Sequence, residues 1–95
     1  MDQNDYKYYP NGTQSWKING RFHREDGPAI IYSDGTKVWM INGQLHREDG
    51  PAIIRSNGER VWYLYGVKVT PEEVFNRMTK DKKKEILFNV LDEWK

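Results

Sequence analysis

Two short clusters of ionisable side chains are the places in this sequence where chemistry is easiest to envisage. The nonamer HREDGPAII occurs at His23 to Ile31 and again, letter for letter, at His46 to Ile54, an offset of 23 residues. Each cluster holds an imidazole, a guanidinium and two carboxylates in four consecutive residues. Imidazole beside carboxylate is typical of acid–base catalysis or metal binding, and a guanidinium fork is typical of phosphate recognition.

Metal binding and catalysis are the weaker interpretations of these clusters. A His and an Asp three residues apart at the end of a strand do not form a preset chelate, and the chain has no cysteine. The His-x-Glu piece at His23 resembles zinc deaminases, but the cysteine pair that completes such a site is absent. We therefore expect no metal and no cofactor, and a small metal-dependent hydrolase is our third hypothesis for function.

Anion binding is the second hypothesis. The pairs His23-Arg24 and His46-Arg47 would present donors at a fixed spacing, suited to a small nucleotide held between copies. The Glu and Asp that follow each pair would repel an anion. The structural alternative is that each Asp bonds the backbone of its Gly-Pro bend, while each Arg pairs with the next copy's carboxylates or stacks on a Trp face.

The elements that position these clusters form an internal repeat. Glycines and tryptophans keep the offset of 23 residues: Gly12, Gly35 and Gly58; Trp16, Trp39 and Trp62; Gly20, Gly43 and Gly66. Such a period indicates a stacked array of one small unit. Each unit has a turn, an alternating strand, an Asn-Gly or Tyr-Gly turn suited to type I′ geometry, and a return strand. Gly-Pro then predicts a bend, and Ala-Ile-Ile a further short strand.

The repeat predicts a mainly β fold, an antiparallel meander of three stacked hairpin repeats with five to seven strands. Alternation places the three Trp on one face, where we expect a Trp ladder to form the core. We divide the single domain 1–95 into a frayed lead-in (1–8), three repeats (9–69) and a C-terminal helical cap (70–95).

The C-terminal segment begins with Thr70-Pro71-Glu72-Glu73, which predicts a helix start with a capping box. Thr79 to Asp81 interrupts or recaps it, so one helix and two helices both remain open. Apolar residues then recur at helical spacing: Ile86, Leu87, Val90, Leu91 and Trp94. We expect this stripe to cover the sheet and its edge strand; the alternatives are a partner protein or a homodimer through this helix.

Composition excludes several classes of function. The net charge is +1, and the run Lys80 to Lys84 lacks a basic-aromatic face around it, so we do not expect nucleic acid as a partner. Lys in a first helical turn opposes the macrodipole and hints at an acidic partner surface. Zero cysteines, no apolar run of about 20 residues and a polar N-terminus predict a cytoplasmic protein without membrane association.

The spacing Tyr9-x-x-Gly12, Trp16, Asn19-Gly20-x-x-His23 resembles a divergent MORN repeat, and the likeness extends from about Tyr9 to Val69. The resemblance implies stacked β-hairpins that act as an interaction module. Ordinary copies carry Gly after the His, where this chain has Arg24. The HR-x-DGPA variant is similar to small proteins of bacteriophages and large DNA viruses, which implies the cytoplasm of a host cell.

Our first hypothesis is accordingly a non-enzymatic protein that binds and inhibits or modulates a host protein, for instance an antiviral defence component. The candidate binding residues fall into two sets. The repeats supply His23, Arg24, His46, Arg47 and Tyr63, and the C-terminal helix supplies Lys83, Lys84 and Trp94 as a second interface.

Overall fold

The computed structural model describes residues 4–89, with side chains as far as Glu85. Within this range the chain forms ten short strands followed by two helices. The strands are β1 (Asn4–Tyr8), β2 (Gln14–Ile18), β3 (Arg21–Phe22), β4 (Ile30–Ile31), β5 (Lys37–Val38), β6 (Met40–Ile41), β7 (Gln44–Leu45), β8 (Ile53–Ile54), β9 (Arg60–Leu64) and β10 (Val67–Val69), and the helices are α1 (Pro71–Asn76) and α2 (Lys80–Asn89). The predicted fold class, an antiparallel meander followed by helices, is confirmed, with more strands than the turns alone indicated.

Pairing between strands keeps the offset seen in the sequence. The main sheet has the order β1-β2-β4-β5-β8-β9-β10; β3 pairs off β2, and β6 pairs with β7. Tyr8 lies opposite Gln14, Ile31 opposite Lys37 and Ile54 opposite Arg60, each 23 residues after the pair before it. The strand that was predicted as a frayed lead-in is β1. It occupies, one period earlier, the place that β4 and β8 occupy.

The hairpin turns have the predicted type I′ geometry. Asn19 and Gly20 have φ of 52° and 80°, and Asn42 and Gly43 have 50° and 79°. Tyr65 adopts φ 49° although tyrosine lacks the tolerance of asparagine for this region. Each turn returns the chain beside the strand it left, and so delivers the nonamer to a fixed place.

Each long strand changes its pairing partner at its tryptophan. The N–H of Trp16 donates to the carbonyl of Ala29 (2.8 Å), while the Trp16 carbonyl accepts from the N–H of His23 (3.0 Å). Trp39 repeats both bonds with Ala52 and His46, at 2.7 and 3.1 Å. The first half of the strand therefore pairs with the Ile-Ile strand, and the second half with its own hairpin.

The core does not follow the predicted Trp ladder. Trp62 is 8% exposed and packs with Leu64 and Val74, whereas Trp16 and Trp39 are only half-buried. Val74 of α1 covers Trp62, and that cover is missing over the other two rings. Further burial occurs at the row that includes Ile30 and Val38 on cross-strand neighbours, together with two alanines, Ala29 and Ala52.

The helical segment is two helices rather than one. Thr70 caps α1 through the predicted capping box: its hydroxyl accepts from the N–H of Glu73 (3.2 Å), and the Glu73 carboxylate accepts from the N–H of Thr70 (2.8 Å). Arg77 ends α1, and the Thr79 hydroxyl accepts from the N–H of Lys82 (3.2 Å) to start α2. The predicted stripe of Ile86, Leu87, Val90, Leu91 and Trp94 lies outside the described side chains.

Candidate functional site

Each arginine of the nonamers is enclosed within its own copy. The guanidinium carbon of Arg24 lies 3.9 Å from the ring centroid of Trp16, and that of Arg47 lies 4.0 Å from Trp39. Nε of Arg47 donates to Asp49 (2.9 Å) and Nη1 donates to the carbonyl of Pro51 (3.2 Å). Arg24 makes the equivalent bonds to Asp26 and Pro28, at 3.0 and 3.2 Å. Stacking on Trp was predicted; pairing across copies was not observed, because the bend brings the copy's own Asp to the guanidinium first.

The glycine before each proline makes room for that guanidinium. A Cβ on Gly50 would lie 2.7 Å from Cζ of Arg47, and one on Gly27 would lie 3.1 Å from Cζ of Arg24. Carbon atoms in contact normally stay about 3.5–4.0 Å apart. Trp on one side and glycine backbone on the other therefore hold the guanidinium plane between them.

The histidines join consecutive copies. Nδ1 of His23 accepts from the N–H of Asn42 (2.9 Å), and Nδ1 of His46 accepts from the N–H of Tyr65 (2.9 Å). Since Nδ1 is an acceptor, the ring proton lies on Nε2, which faces Glu48 at 3.2 Å in His46. His46 is 6% exposed, and the Tyr65 ring stacks on it with centroids 4.1 Å apart. Each imidazole thus satisfies the first N–H of the next type I′ turn.

Helix α2 is tied to the second nonamer by charge. Lys82 Nζ lies 3.4 Å from the Asp49 carboxylate, which Arg47 also contacts. Burial raises the pKa of Asp49, but the attraction of Arg47 and then of Lys82 outweighs burial, so its pKa lies below the ordinary value of 3.8.

A cleft of about 930 Å³ lies between the two bends and the helices. Apolar and aromatic side chains from the sheet and from α1 line it: Trp39, Ile41, Leu64, Tyr65, Val74 and Met78. Carboxylates from both nonamers stand along it, and three are largely exposed: Glu25 (83%), Asp26 (88%) and Glu48 (76%). Their cationic neighbours are much less accessible, since the side chain of Arg47 is 12% exposed and that of Lys82 is 34% exposed.

The candidate binding residues do not form one surface. His46 and Arg47 line the cleft, whereas His23 and Arg24 make the equivalent contacts one copy earlier. Tyr63 is half-buried, and its carbonyl accepts from the N–H of Arg47 (3.2 Å).

The second predicted interface lies on α2. Lys83 sits over the Phe75 ring at 5.3 Å, Lys84 is exposed, and Trp94 lies outside the described residues. Three cleft residues were not foreseen: Tyr65, Arg77 and Met78. Tyr65 had a signal in the sequence, because it replaces the asparagine that the other two turns carry.

Metal-binding geometry is not seen in the part of the chain described, where no group of three or more His, Asp or Glu side chains could hold an ion. No helix in that part has both the length and the apolar character needed to cross a bilayer. Comparisons with protein-family models, with curated proteins and with solved structures found no match for this chain. The cleft is therefore the feature from which a function is inferred.

Proposed function

We propose that this chain is a non-enzymatic protein-binding module, and that the cleft beside the second nonamer receives a segment of its partner. The observation that carries the proposal is the pairing of an apolar floor with exposed carboxylates. Met78, Leu64 and Val74 offer apolar surface at the floor, and Glu25 and Glu48 stand at its margin. Apolar contact surrounded by polar groups is the usual composition of a protein interface.

Charge indicates the chemistry of that partner segment. The guanidinium of Arg47 is held by Trp39, Asp49 and Pro51, while the three exposed carboxylates turn their negative charge to solvent. The segment that fits is one with an apolar side chain flanked by Lys or Arg. The same arrangement disfavours a nucleotide, because a phosphate would meet carboxylates before it met a guanidinium.

The resemblance to viral HR-x-DGPA proteins is the ground for naming a host protein as the partner. Binding there would inhibit or modulate that protein without chemistry on it. The internal contacts of both nonamers support this, because they account for His and Arg as supports of the cleft rather than as reacting groups.

Site-specific crosslinking tests where the partner binds. Since the chain has no cysteine, a single cysteine can carry a benzophenone probe at Arg77, which lines the cleft, or at exposed Lys37, which does not. Irradiation in host lysate is expected to yield one crosslinked protein from Arg77→Cys and none from Lys37→Cys. Equal crosslinking from both positions would show that the cleft is not the binding surface.

Charge reversal with the purified partner tests how it binds. Glu25→Lys and Glu48→Lys each change the net charge by the same amount as Glu59→Lys, which lies in the Ser56 to Glu59 turn away from the cleft. The first two are expected to raise Kd at least about tenfold, corresponding to about 1.4 kcal/mol. The proposal fails if all three variants bind alike, or if the affinity rises with the added positive charge.

A further inference from the structure

Strand β1 has an open edge at a place where its equivalents are paired. In the range that the structure describes, β1 neighbours β2 alone, whereas β4 and β8 have a strand on each side. All five residues of β1 are exposed, and Tyr6 and Tyr8 are 51% and 63% exposed. An open edge offers unpaired N–H and C=O groups to another strand.

The pairing of β1 with β2 determines which groups face that edge. The N–H of Tyr9 donates to the carbonyl of Thr13, and the register places Lys7 opposite Ser15 and Asp5 opposite Lys17. Since bonded and non-bonded pairs alternate in an antiparallel ladder, Lys7 and Asp5 direct their backbone groups to β2. The N–H and C=O groups of Asn4, Tyr6 and Tyr8 therefore point to the open side.

We propose that this edge pairs with β1 of a second copy of the chain, antiparallel and about a two-fold axis at Tyr6. Tyr6 then exchanges two backbone hydrogen bonds with Tyr6 of the second copy. Asn4 and Tyr8 do the same with Tyr8 and Asn4, and the main sheet continues across the axis. The strand reads Asn-Asp-Tyr-Lys-Tyr, so this register places Asp5 beside Lys7 of the second copy, twice by symmetry.

Charge complementarity is what selects a second copy and this register. Asp5 and Lys7 fall at non-hydrogen-bonded positions, where side chains of facing strands approach most closely. A shift of two residues in one direction places Asp5 opposite Asp5, and in the other direction Lys7 opposite Lys7, and both are repulsive. An edge lysine normally prevents self-pairing; in this strand the aspartate two residues away converts it into a matching group. Pro10 lacks an N–H and limits the pairing at the C-terminal side.

Charge-swap variants test the pairing by sedimentation equilibrium at chain concentrations up to about 1 mM, a range that covers small, transient interfaces. The wild-type chain is expected to dimerise reversibly, and less at high salt. Asp5→Lys and Lys7→Asp are each expected to lower the association constant at least tenfold, because one creates facing lysines and the other facing aspartates. Mixing the two variants is expected to restore association as a one-to-one heterodimer.

Lys68→Asp is the matched control, since it makes the same charge change on β10 at the other end of the sheet. It is expected to dimerise like the wild type, and thermal unfolding checks that every variant is folded. A wild-type chain that remains monomeric at about 1 mM overturns the proposal. So does a folded mixture that fails to form the heterodimer, or a control that weakens association as much as Lys7→Asp.

Discussion

Gly50→Ala is the sharpest test of how the nonamer is held together. A Cβ at this position would lie 2.7 Å from Cζ and 2.9 Å from Nη1 of Arg47, so one of them must move. Gly50 is not among the glycines with positive φ, and the substitution therefore adds no backbone strain of its own. The expected effect is displacement of the guanidinium from the Trp39 ring.

The loss can be worked from the contacts that Arg47 makes. Stacking on Trp39 with a side chain 12% exposed contributes about 1 kcal/mol. The hydrogen bond to the Pro51 carbonyl contributes about 1 kcal/mol. The ion pair with half-exposed Asp49 adds about 0.5 kcal/mol after screening. Displacing most of this lowers the free energy of unfolding by about 2 kcal/mol, which lowers Tm by about 10 °C for a chain of this size.

Urea unfolding followed by tryptophan fluorescence measures this, with two matched comparisons. Gly27→Ala, where the nearest approach is 3.1 Å and Arg24 is more exposed, is expected to cost less than about 1 kcal/mol. In an Arg47→Ala background, Gly50→Ala is expected to cost nothing or to stabilise slightly, because the clash is gone and the unfolded chain is restricted. Equal costs of Gly50→Ala with and without Arg47 would refute the guanidinium as the cause.

Three further predictions concern the supports of the cleft. His46→Ala removes the acceptor for the Tyr65 N–H and is expected to cost about 2 kcal/mol, whereas His46→Asn recovers part of this; faster amide exchange at Tyr65 checks it, and unchanged exchange would contradict it. The pKa of Asp49 is lower in the folded state than in the unfolded chain, so its stabilising contribution is present above about pH 4 and is lost as pH falls further; Asp49→Asn should flatten that acid limb of an unfolding titration, and an unaltered limb would argue against it. Thr70→Ala removes the cap of α1 and is expected to lower stability by about 1 kcal/mol in urea unfolding, with Thr70→Ser as the control that keeps the hydroxyl.

Much of the fold could be predicted because its signals are local. Asn19-Gly20 sets a type I′ turn from two residues, and Thr70 to Glu73 set a capped helix from four. β1 was missed because Asp5 and Lys7 hide its alternation of Tyr6 and Tyr8. Subtracting one period from β4 would have located it, since Tyr8 stands where Ile31 stands.

The site could be predicted only in part because its contacts depend on how copies close on one another. The bond from the Tyr65 N–H to His46 spans 19 residues, a separation that appears only once neighbouring hairpins are stacked. The cleft needs more still, because Met78 and Val74 reach it from α1. No periodicity within one copy specifies the position of that helix.

One substitution explains both where the array ends and where the cleft forms. Arginine follows tryptophan by eight residues in the first two copies, and its guanidinium covers the ring of Trp16 or Trp39. The third copy has Thr70 at that position, and Thr70 has no side chain that could cover Trp62. Its hydroxyl instead starts α1, which brings Val74 onto Trp62. Losing the arginine thus replaces a cationic cover with a helix, and the cleft lies where that helix meets the last intact nonamer.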